Sequence, residues 1–157
     1  MEDATLSHAY FMEMGTGKSK VAIDNMGVLF EKGAIKAALI VAPKGVYDNW
    51  ALGEIPLHLP ERIARKTVSW TPSLSKKFVA ELEDLVLEDF DGIKIFVMNV
   101  EAFSSPRGAR AAGRFLVHNP DNMMIVDEST TIKNRKAQRT KNLMVLTKYS
   151  KYRRILT

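Results

Sequence analysis

"FMEMGTGKSKVAI", residues 11–23, decides how the rest of the chain is read. Gly15 and Gly17 stand either side of Thr16, Lys18 and Ser19 follow directly, and apolar residues lead in. Two such glycines let the backbone curl until successive N–H groups point inward, which suits phosphate oxygens. A helix starting behind them adds the positive end of its dipole. The full phosphate-loop pattern is Gly-x-x-x-x-Gly-Lys-[Ser/Thr]. Gly17, Lys18 and Ser19 fit it, whereas Met12 stands where the first glycine belongs. The shorter core Gly-x-Gly-Lys-Ser arises by chance in on the order of one chain in 200 of this length, with glycine at ~7%. In this reading Lys18 reaches the β- and γ-phosphates of ATP and the Ser19 hydroxyl takes a place on Mg²⁺. The bland alternative is a glycine turn with a solvated lysine.

Downstream, "MMIVDEST" (123–130) is a hydrophobic strand ending in Asp127 and Glu128. A carboxylate at such a strand end can hold Mg²⁺, and its neighbour can orient and polarise the attacking water. Strand ends of this kind are also where open α/β sheets bind ligands. Two solvated carboxylates after an edge strand are the ordinary alternative; the glycine loop upstream is what gives the pair meaning.

Between these stretches, short apolar runs alternate with amphipathic ones. "AYFM" (9–12) reads as a strand, and residues 18–31 as a helix with Ala22, Met26, Leu29 and Phe30 on one face, stopped at Gly33. "KAALIVA" (36–42) is a continuous apolar strand ended by Pro43, and residues 45–54 look helical. "KTVSW" (66–70) is a short strand, and a helix opens near Ser73 with Leu74, Phe78, Leu82, Leu85 and Val86 on its buried face. "KIFVMNV" (94–100) is the next strand, "SSPRG" (104–108) a loop, and 108–118 a basic helix. "HNPDN" (118–122) is a turn, 136–148 a helix and "YRRILT" (152–157) a last strand. Strands apolar throughout, with helices between them, predict an α/β domain with a mainly parallel sheet and right-handed crossovers.

The 157 residues suit one domain with a full core. Without cysteine there are no disulfides or thiolate metal sites, and His8, His58 and His118 lack ligand spacing. No apolar run is long enough to span a bilayer, and "MEDATLSHAY" does not read as a secretory signal, so a cytoplasmic protein is expected. A net charge of +5 hints at a polyanionic partner.

With these residues in view, the chain resembles the first RecA-like lobe of helicase superfamily two, within it the Swi/Snf-like DNA translocases, and especially bacteriophage-encoded ones. "EMGTGKS" (13–19) looks like motif I, where that family often lacks the first glycine. "VAPKGVYDNWALGEI" (41–55) is similar to motif Ia, with Val41, Pro43, Val46, Trp50 and Glu54 on matching positions. "VMNVEAF" (97–103) resembles motif Ib, "DESTTIKN" (127–134) motif II, and "RRILT" (153–157) the opening of motif III.

The resemblance implies a three-layer P-loop domain spanning 1–157, the Mg·ATP-binding lobe of a DNA-dependent ATPase. Gly15, Thr16, Gly17, Lys18, Ser19 and Lys20 would hold the nucleotide, Ser19 and Asp127 the metal, and Lys18, Asp127 and Glu128 would carry the chemistry. It places sequence-independent DNA contacts at Pro43, Lys44, Gly45, Asn99 and Glu101. Coupling of hydrolysis to movement falls to Thr130, where the family usually has histidine, and to Thr157 in motif III. No clear equivalent of the family's adenine-reading glutamine stands in the first ten residues. A second lobe with its arginine fingers is expected in cis or trans, and this lobe alone is expected to turn over poorly. Membership of a phage-encoded group would make the location the host cytoplasm. Two basic clusters, Arg107, Arg110 and Arg114, and Lys133, Arg135, Lys136, Arg139 and Lys141, are either further DNA contacts or solvated helix faces. Trp50 either stacks on a base or packs its helix against the sheet. The rival function is a nucleotide- or nucleic-acid-binding module without effective hydrolysis.

Overall fold

The computed structural model describes residues 7–10, 17–73, 75–127 and 137–156. Among these residues six strands form one sheet: β1 (Ser7–Tyr10), β2 (Ala37–Ala42), β3 (Arg65–Ser69), β4 (Ile93–Asn99), β5 (Asn122–Asp127) and β6 (Tyr152–Leu156). Their spatial order is β1-β6-β5-β2-β4-β3, and every neighbouring pair is parallel. The helices are α1 (Lys18–Glu31), α2 (Tyr47–Asn49), α3 (Ile55–His58), α4 (Lys76–Leu87), α5 (Pro106–His118) and α6 (Gln138–Leu146). A π-helical turn, Trp50–Glu54, joins α2 to α3, and 3₁₀ turns occupy Val100–Ser104 and Thr147–Tyr149.

The period of two along each strand sorts the core into two layers. On β2, Ala37, Leu39 and Val41 face α4, α5 and α6, while Ala38, Ile40 and Ala42 face α1 and the Trp50 turn. On β5, Met124 and Val126 join the first layer and Met123 and Ile125 the second. The same parity sends Asp127, two residues beyond Ile125, to the α1 face. Burial on both faces is what the uniformly apolar strands required.

Several helix bounds shift from the sequence reading, each for a local reason. The helix placed near Ser73 begins at Lys76, because the Ser75 hydroxyl accepts from the Phe78 amide and caps α4. Leu74 lies outside the described residues; Phe78, Leu85 and Val86 are buried as expected. Helix α5 starts at Pro106 rather than 108: Ser105 caps it, and proline at N1 gives up an amide that would have had no partner. Gly33 ends α1 at φ +77°. The helix drawn over 136–148 runs only over α6 and then tightens into the second 3₁₀ turn.

Candidate functional site

The C-terminal ends of β1, β2, β4, β5 and β6 lie along one edge of the parallel sheet. Gly17 opens α1 at φ +81° and ψ +30°, a left-handed conformation that glycine adopts freely. Among the described residues no side chain caps this helix, and its first turn holds no carboxylate, so the positive end of its dipole is not offset by a side chain there. Lys18 and Ser19 occupy that first turn, both partly buried.

Across from them Asp127 ends β5 with 6% of its surface exposed. The Lys18 ammonium lies 3.9 Å from its Oδ1. The indole Nε1–H of Trp50 donates to its Oδ2 at 2.8 Å. Solvated carboxylates, the alternative at this strand end, do not describe Asp127. The donor set fits a magnesium ion: one carboxylate and one hydroxyl, the remaining positions being filled by water and phosphate oxygens, is how Mg²⁺ is ordinarily held. Among the described residues no cluster of His, Cys, Asp and Glu could form a site for another metal. Lys20 lies farther round α1, exposed and paired with Asp24 at 2.5 Å. Gly15, Thr16, Glu128, Thr130 and Thr157 lie outside the described residues.

A second feature opens beside β2 and β4. Lys44, Tyr47, Trp70, Pro72, Asn99 and Glu101 line a groove of ~740 Å³ that also takes in Ser105 and, on α5, Pro106, Arg107 and Arg110. Of the five residues assigned to DNA contact, Lys44, Asn99 and Glu101 thus come together; Pro43 and Gly45 flank Lys44. Asn99 donates to Glu101 at 3.2 Å, so the carboxylate is engaged within the groove wall. Tyr47 Oη donates to the Trp70 carbonyl at 3.1 Å. Burial, and then the charge of Asp48, hold the phenol above its ordinary pKa, which keeps that donor protonated. Trp70 in turn packs edge-on against Phe78, with centroids 5.7 Å apart.

The groove divides the first basic cluster. Arg107 and Arg110 line it, and among the described residues neither they nor Lys44 have a carboxylate partner. Arg114 turns away and pairs with Glu83 of α4, whose carboxyl that hydrogen bond holds below the usual range. Of the second cluster, Arg139 and Lys141 sit on α6, and Lys133, Arg135 and Lys136 lie outside the described residues. Trp50, 1% exposed, packs inside and does not stack on a base. The sequence reading missed Tyr47, Trp70 and the Trp50–Asp127 bond; only the pairing of an aromatic with a strand end hinted at Trp70.

No family model matches the chain. It is 30% identical over 145 residues, 92% of its length, to a segment of the ATP-dependent helicase fft1 of Schizosaccharomyces pombe. The fold resembles that of the Sulfolobus solfataricus SWI2/SNF2 ATPase core in complex with dsDNA, with a TM-score of 0.63 and 18% identity over 95% of this chain. The chain spans 14% of the helicase and 27% of the ATPase core. The domain is therefore a three-layer RecA-like α/β fold built on a parallel sheet.

Proposed function

We propose that the chain is a Mg·ATP-binding lobe of a Swi/Snf-like, DNA-dependent ATPase of helicase superfamily two. The observation that carries this reading is the meeting of Gly17, Lys18 and buried Asp127 at one sheet edge. The Lys18 ammonium stands 3.9 Å from Asp127, beside the helix start that would receive a phosphate chain. A bound nucleotide would draw the ammonium onto its phosphates, and the Asp127 carboxylate would then face the metal side. Magnesium there would neutralise charge on the β- and γ-phosphates. Ser19 would add its hydroxyl, and Glu128, next along the chain from Asp127, would orient and polarise the attacking water. The similarity to the fission-yeast helicase and to the archaeal ATPase core supports this class. The groove at Lys44, Asn99 and Arg107 would take the backbone of one DNA strand, using charge and amides rather than base edges. A second lobe would complete hydrolysis by supplying arginine to the γ-phosphate.

The deciding experiment is calorimetric titration of Mg·ADP into the wild-type chain and Lys18→Ala. Loss of one charge-assisted contact to phosphate, about 1.5–3 kcal/mol, corresponds to roughly 10–100-fold in affinity. Equal affinities in two folded proteins would refute the phosphate-loop reading.

A further inference from the structure

The bond between Trp50 and Asp127 goes beyond a phosphate-binding reading, which asks nothing of an indole. Trp50 begins the π-helical turn, and its side chain reaches under the end of β5. Single π-helical turns re-aim side chains, and they are frequent at functional sites. The indole N–H can donate but not accept. Its 2.8 Å bond therefore engages Oδ2 while Oδ1 faces Lys18. Asp127 is 6% exposed and Trp50 1%, so water does not compete well for this bond.

We infer that Trp50 is a positioning residue for the metal-side carboxylate: its N–H holds Oδ2 and so presents Oδ1 toward the nucleotide. The torsion that turns a carboxylate is broad and roughly two-fold, so an unheld Asp127 would present either oxygen over a range of angles. Magnesium demands near-octahedral geometry and tolerates such spread poorly. Partners that orient a ligand from behind are typically worth 10–100-fold in metal affinity. The turn also begins three residues after Tyr47, whose hydroxyl is fixed in the groove wall, so one short stretch braces both features.

The inference rests on Asp127 being the metal-side carboxylate, and the test separates the two. ADP affinity is measured with and without Mg²⁺ for the full chain and for Trp50→Phe, which keeps an aromatic filler and removes the donor. We expect unchanged metal-free affinity and a roughly tenfold smaller gain from Mg²⁺ in the variant. A merely structural role would weaken both arms together, and that result would overturn the inference. If the wild type gains nothing from Mg²⁺, the metal-side reading falls and takes the inference with it. If both proteins gain equally, only the inference falls. Should Trp50→Phe fail to fold, the wild type decides through its indole N–H resonances. The chain has two tryptophans, and Trp70→Phe identifies which signal belongs to Trp50. That signal should shift when Mg²⁺ joins bound ADP; a signal that stays put would overturn the inference.

Discussion

Gly17 shows how much one backbone angle carries. At φ +81° it opens α1, and among the described residues no side chain caps the first-turn amides. A Cβ built there meets nothing within 4 Å among the described residues, and substitution carries a conformational cost. We expect Gly17→Ala to lose about 1–2 kcal/mol of stability, the penalty of a left-handed conformation for an L-residue. Gly17→Asn should recover part of it, because asparagine tolerates that region. Urea unfolding of the three proteins checks this, and equal loss in both variants would point to a cause other than φ.

Among the elements, β4 contains a contradiction of its own pattern. Lys94 is 6% exposed in an otherwise apolar strand, and it sits beside Lys66 of β3 in register. Its Nζ donates to Asn119 Oδ1 at 3.3 Å. Burial lowers its pKa below the ordinary 10.5, opposed by Glu88 and Asp89 and reinforced by Lys66. The folded state thus disfavours the charged form. Between the folded value and 10.5 the unfolded chain binds more protons, so this group makes stability rise with pH across that window. Lys94→Met should remove that rise and leave stability at pH 7 no lower than wild type. Chemical unfolding from pH 7 to 10.5 tests it; an unchanged slope would mean that Lys94 escapes to solvent. Elsewhere a buried polar contact joins two elements instead: Arg154 of β6, fully buried, donates Nε–H to Asn25 of α1 at 2.8 Å.

For the molecule as a whole, the net charge of +5 matters less than where its positive side chains gather. Lys44, after β2, and Arg107 and Arg110, on α5, come from two separate stretches of the sequence and line one groove. If each neutralises one phosphate, weak, sequence-blind duplex binding should fall with salt at a logarithmic slope near −3, about −0.9 per phosphate. Replacing any one by alanine should reduce the slope by about 1. Arg114→Ala should leave binding unaltered, since its guanidinium is engaged by Glu83. Fluorescence anisotropy over a salt series measures all of these. Binding indifferent to salt, or equally weakened by Arg114→Ala, would remove the groove from consideration.

What the sequence determined by itself was everything written in local periodicity. Apolar runs and 3.6-residue stripes yielded the strands, the helices and the parallel sheet, because those signals come from neighbours along the chain. The glycine-lysine-serine stretch and the Asp127 strand end were legible for the same reason: backbone geometry and helix dipoles act over a few residues. Tertiary structure decided what depends on residues far apart. Trp50 and Asp127 are 77 positions apart, and only the parity of β5 and the π-helical turn bring indole to carboxylate. The fate of each arginine, groove for Arg107 and Arg110 or pairing for Arg114, depended on which face of α5 met α4. A sequence specifies that a charge exists; whether it is paired, buried or offered to a ligand is set by what the fold places within a few ångströms of it.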